Sequence, residues 1–70
     1  MITGKDWAAR LVEESEDLNT RVRRLKGMLE ARRMGTLDFE PNCPEELLVR
    51  QLNAMEDYAA CLRERMELEL

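Results

Sequence analysis

Apolar residues return along the first half of the chain at intervals of three, four and seven: Trp7, Leu11, Leu18, Val22, Leu25 and Leu29. At about 100° per residue these positions fall in one narrow stripe, which predicts an amphipathic helix. Glu14 and Ser15 share the stripe and dilute it, and Gly27 costs about 1 kcal/mol relative to alanine. Neither breaks so long a pattern. Thr3 with Asp6 three positions later resembles a capping box in which Asp replaces the usual Glu. Gly35 suits the C′ position, so the first helix is predicted over about residues 4–33.

The segment "MGTLDFEPNC" then reads as a loop over about residues 34–43, punctuated by Gly35, Pro41 and Asn42. Leu37 and Phe39 are available in it to plug the end of a hairpin. Pro44 suits a first helical position with Glu45 and Glu46 behind it, which predicts a second helix over about residues 44–67. Its main stripe is Leu48, Leu52, Met55, Ala59, Leu62 and Met66. Two helices of similar length joined by a short loop make an antiparallel hairpin, so residues 1–70 read as one all-α unit. A second stripe of Leu47, Ala54, Tyr58 and Cys61 lies roughly 60–120° from the first on the same helix. A two-helix hairpin covers one face per helix, and the leftover apolar surface must meet another copy or a partner. The expected architecture is a hairpin that assembles into a homo-oligomeric helical bundle.

Size points the same way. Seventy residues bury too little apolar surface to offset chain entropy comfortably without disulfides, a metal or oligomerisation. Cys43 and Cys61 do not form a CxxC pair and there is no histidine, which argues against a zinc or redox site and for two reduced thiols. No apolar signal core follows Met1, and no run approaches the ~18 apolar residues of a membrane span. Oligomerisation is the remaining route to stability.

Charge then changes the picture. The net charge is −4, yet residues 20–33, "TRVRRLKGMLEARR", hold six cations against one anion. Residues 1–19 hold two cations and five anions, and residues 34–70 three cations and nine anions. A basic band thus lies between two acidic arms. The overall balance argues against binding polymeric nucleic acid, which calls for a broad basic face, and leaves room for a local anion site.

Catalysis finds little to work with. Ser15 is the single serine, neither cysteine has a visible activating base, and no Gly-rich phosphate loop or Asp-rich calcium loop is present. No enzyme, cofactor or metal is expected. For binding the inventory is better: Arg21, Arg24 and Met28 flank one side of the first stripe, with Arg10 three turns earlier and Lys26 on the opposite flank. Cations beside an apolar seam suit a flat anionic ligand, since bases stack while guanidinium groups take phosphates. The competing assignment pairs them with Glu56, Asp57 and Glu64 of the second helix to fix register. Trp7 falls where it could close the hairpin's open end against Leu62 and Met66, with stacking on a base as the sharper alternative. Tyr58, with Arg65 two turns on, lies along an interface line of the second helix.

The motif W-x2-R-x3-E…L-x2-R, followed by "EELLVRQLNAMEDYAACLRERM", resembles a family of tiny phage and prophage proteins labelled crAss-phage-related small proteins. Their two-helix unit is similar to the hairpin of phage sponges of the anti-CBASS and anti-Thoeris type. The matching positions are Trp7, Arg10, Glu14, Leu18, Arg21 and Leu25, then Leu47, Leu48, Gln51, Leu52, Met55, Tyr58, Leu62, Arg65 and Met66. The loop "RRMGTLDFEPNC" departs from a shorter, more helical turn. The resemblance implies an oligomer, dimer-based with a hexamer as one option, in the host bacterial cytoplasm. It would bind cyclic oligonucleotide or cyclic ADP-ribose-type immune messengers without cleaving them. On that reading Arg10, Arg21, Arg24 and Lys26 take phosphates, Trp7 and Tyr58 stack on bases, and Arg65 supports them. The alternatives are a hairpin that blocks a host protein or joins another phage protein, and a bundle whose charges only set register.

Overall fold

The computed structural model describes residues 4–70, with side chains from Asp6 onward. Two helices make up the fold: α1, Gly4–Met34, and α2, Glu45–Glu69. They pack against each other antiparallel, Trp7 meeting Arg65 at one end and Arg33 meeting Glu45 at the other. The capping pair expected between Thr3 and Asp6 lies outside the described residues, although Asp6 stands in the first turn where a negative charge suits the helix dipole.

The C-terminus of α1 is set by local hydrogen bonding. Gly35 takes a left-handed φ of 74°, its N–H donates to Arg32 O, and Thr36 N–H donates to Ala31 O at 2.9 Å. That is the double closure of a Schellman motif, and glycine enters it without a Cβ penalty. Pro44 stands one position earlier than the sequence reading put it. It is the N-cap of α2, with ψ 151°, and its carbonyl accepts from Leu47 N–H at 3.1 Å. Having no side-chain oxygen, it offers α2 no capping bond. Glu45 and Glu46 supply the favourable first-turn charge instead. At the other end α2 runs on to Glu69, where Leu70 N–H closes on Met66 O.

One seam of side chains between the helices forms the core. Leu11, Leu18, Val22, Ala59 and Leu62 are buried together, with Trp7, Leu52, Met55 and Met66 packed around them. Leu29 and Leu48 are buried toward the loop end. Ser15, read from sequence as a dilution of the stripe, is itself buried. Phe39 does not plug the hairpin. It is 56% exposed, whereas Leu29 and Leu48 are buried toward that end and Leu37, Pro41 and Cys43 of the loop are half-buried.

The molecule is a rod of 48 × 18 × 18 Å with a radius of gyration of 15.6 Å. A compact chain of this length would have a radius of about 11 Å. The second stripe of α2 stays outside the core: Leu47, Ala54, Tyr58 and Cys61 are all exposed. No described helix is long and apolar enough to cross a membrane.

Candidate functional site

Arg10, Glu14, Asp17 and Arg21 follow one another on α1 at intervals of four, three and four, so they share one flank of the helix. Beside that flank the two helices leave an open groove of about 360 Å³. Leu18 and the ring of Tyr58 provide its apolar surface, Arg10 and Arg21 its cations, and Glu13, Glu14 and Asp17 its carboxylates. Tyr58 is 46% exposed, so it is accessible to a ligand in the groove. Eleven residues of helix place Arg10 and Arg21 about 16 Å apart along α1. The two guanidinium groups therefore bracket the groove and do not converge on one point.

Arg10 and Arg21 form no ion pair or hydrogen bond with other described residues, nor does Arg24, which is exposed and outside the groove. Other candidates are separated from them. Arg65 holds its guanidinium 5.4 Å from the centroid of the Trp7 ring, a cation–π contact at the open end of the hairpin. Trp7 also packs on the core, so its ring is a half-buried wall with a cation laid across it. Lys26 is on the far side of α1, 2.9 Å from Glu56 of α2.

A second groove, of about 390 Å³, opens on that far side over Leu29, Val49 and Leu52. Its cations are already engaged: Lys26 with Glu56, and Arg33 with Glu45 at 2.7 Å. Arg32 likewise turns to the loop, donating to Cys43 O at 3.3 Å. The basic band of the sequence is therefore not a basic patch of the fold. The helix deals its cations to both flanks, and only one share is left open.

The candidates thus fall into three places and a solitary Arg24: Arg10, Arg21 and Tyr58 in the first groove, Trp7 with Arg65 at the open end, and Lys26 on the opposite flank. The groove also holds Glu13 and Asp17, which the sequence reading did not single out. The 4–3–4 spacing that starts at Arg10 is the signal that would have found Asp17. Among the described residues no cluster of His, Cys, Asp or Glu could hold a metal ion. Cys43 and Cys61 are both free thiols.

Residues 5–68 match the family model described as Sequestin, and the chain belongs to that family. No curated protein and no solved structure matches it.

Proposed function

We propose that this Sequestin family member binds a cyclic nucleotide immune messenger, of the cyclic oligonucleotide or cyclic ADP-ribose type, and withholds it from its receptor without any covalent step. The family name describes sequestration, binding in place of conversion. The observation that carries the reading is the groove in which Arg10 and Arg21, free of other described partners, bracket the exposed ring of Tyr58. Guanidinium groups take phosphate oxygens bidentately, and a phenol ring takes the face of a base.

The three carboxylates give the groove a formal charge of −1, from two cations and three anions. Alone they would repel a phosphate. They favour a ligand that also presents hydrogen-bond donors, as the hydroxyls of ribose and the exocyclic amines of bases do. A simple anion satisfies only half of this lining, whereas a nucleotide satisfies both halves.

At about 360 Å³ the groove is near the lower end of the ~300–1,000 Å³ typical of ligand sites. It holds part of a cyclic nucleotide and leaves the rest exposed. Sequestration therefore calls for a second wall, which a homo-oligomer supplies. Phage or prophage origin and action in the host bacterial cytoplasm belong to the same proposal. The exposed stripe of α2 favours a second reading, a hairpin that covers a host or phage protein.

The test is a thermal-shift panel of cyclic dinucleotides, cyclic trinucleotides and cyclic ADP-ribose isomers. Ligand at 100 times Kd stabilises the fold by about 2.7 kcal/mol, which raises Tm by several degrees in so small a domain. Arg21→Ala should abolish that rise while leaving the ligand-free Tm within a degree or two. No rise with any messenger refutes the sponge reading and favours the protein-binding one.

A further inference from the structure

The exposed side of α2 carries more order than a loose apolar stripe. Leu47, Gln51, Ala54, Tyr58, Cys61, Arg65 and Leu68 recur at alternating intervals of four and three over three heptads, and every one of them is exposed. Shifted by one residue, the buried seam of Leu48, Leu52, Met55, Ala59, Leu62 and Met66 repeats the same rhythm. The helix therefore has two coiled-coil faces about 100° apart, and α1 covers only one of them. Surface area agrees. The chain exposes 5595 Å². A folded monomer of its mass exposes roughly 4,500 Å². The excess, roughly 1,000 Å², is comparable to the ~800 Å² that each partner buries in a standard interface.

We propose that this outer seam binds the same seam of a second copy, antiparallel, about a two-fold axis near residue 56. The side chains choose the occupant and its direction. One set of heptad positions is Leu47, Ala54, Cys61 and Leu68, with two small residues at its centre, and the other is Gln51, Tyr58 and Arg65. Antiparallel packing sets each set against the other. Tyr58 then meets the partner's Ala54 through the edge of its ring, which leaves a ring face to the groove, Gln51 meets the partner's Cys61, and Leu47 lies on the stem of the partner's Arg65. Each of these contacts occurs twice.

Parallel packing would set like against like, placing Arg65 on the partner's Arg65 and leaving Ala54 and Cys61 facing small residues across a gap. The rim agrees with the antiparallel choice, since it brings Arg50 beside the partner's Glu64 on both sides. Asp57 meets the partner's Asp57 at the exposed rim near the axis, a repulsion that solvent screens. Arg65 already turns its guanidinium back onto Trp7 of its own chain, which leaves its aliphatic stem to the seam.

The seam lies on the same side of α2 as the groove of Arg10 and Arg21, because Tyr58 belongs to both. The partner's α2 thus runs along the open side of that groove and walls it near Tyr58. This last consequence, that the ligand site is completed by the second copy, rests on the sponge reading; the interface itself does not.

Cysteine cross-linking tests register and direction without ligand. In a Cys43→Ser background, Gln51→Cys should oxidise readily to a disulfide dimer with the native Cys61 across the interface. The same background without that substitution should not cross-link, since antiparallel pairing holds the two Cys61 side chains about 15 Å apart along the axis. Light scattering on the parent should give an even multiple of 8.2 kDa, and Ala54→Arg should reduce it to 8.2 kDa with helical circular dichroism unchanged. A monomeric parent, a native Cys61 pair that cross-links with itself, or a silent Gln51→Cys variant each overturns the proposal. An intact pair that responds to no messenger keeps the interface and removes the sponge reading, so the two failures are distinguishable.

Discussion

Leu62→Ala is the sharpest probe of the hairpin, because among the described residues Leu62 is the one large side chain buried to 1% exposure. It sits in the cluster with Leu11, Leu18, Val22 and Ala59, and truncation removes the equivalent of three methylene groups from that contact. At about 0.8 kcal/mol each, the transfer contribution is about 2.4 kcal/mol. A cavity contribution adds to this, but a core only one seam deep can relax around the gap. The total should therefore stay in the lower half of the 2–5 kcal/mol range for such truncations, at about 3 kcal/mol. A domain of this length has roughly 4–10 kcal/mol of stability, so a third or more of it is removed. The assay is urea unfolding followed by helical circular dichroism at one fixed protein concentration, since association would shift the midpoint by mass action. The slope m should be unchanged and the midpoint much lower. A loss under 1 kcal/mol would mean that Leu62 is not at the centre of the packing, and the assignment of the inner face of α2 would fail with it.

Gly27 inside α1 and Gly35 at its C-terminal cap should respond with opposite sign. A Cβ at Gly27 meets nothing within 4 Å, so Gly27→Ala should stabilise by about 1 kcal/mol in urea unfolding, while Gly35→Ala at φ +74° should destabilise by about 1 kcal/mol. Arg65→Ala should cost about 0.5–1 kcal/mol and change the tryptophan emission, since Trp7 is the single tryptophan and loses the cation over its ring. An unaltered spectrum would argue against that stacking in solution. Glu56→Gln should cost less than about 0.5 kcal/mol, because the Lys26–Glu56 pair is exposed at 55% and 41%, and the effect should vanish at 1 M salt.

Much of this architecture was legible because helical periodicity is a local property. Leu11, Leu18, Val22 and Leu62 can be assigned to a buried stripe by counting residues, and the Schellman glycine announces itself by type. What escaped depended on the neighbouring element. Phe39 is apolar and near the hairpin end, but whether it plugs that end depends on how completely Leu29 and Leu48 fill it. Pro44 fits the N-cap or the first helical position equally well by composition, and ψ alone decides. Glu13 and Asp17 carry no distinguishing signal of their own in the sequence, and it is Tyr58 of the other helix that turns their flank into a groove.

The cations of residues 20–33 show the same point, and their division bears on mechanism. A run counted along the chain becomes, on a helix, a set of charges facing every direction. Lys26 and Arg33 reach carboxylates of α2, and Arg32 reaches the loop carbonyl of Cys43. These contacts all lie on or beside the joint between the helices, toward its loop half. They fix the register of the hairpin, which a seam of interchangeable leucines leaves loosely specified. Arg21 and Arg24 make no such contact with described residues, and Arg10 joins them from an earlier turn. Charges with no structural task can be removed at little cost to the fold, which is why alanine at Arg21 can separate ligand binding from folding. The same substitution at Arg33 cannot, because it would remove a contact that holds the start of α2. An Arg33→Ala variant that lost ligand response would therefore be uninformative about the site, whereas an Arg21→Ala variant of unchanged stability speaks to the groove alone.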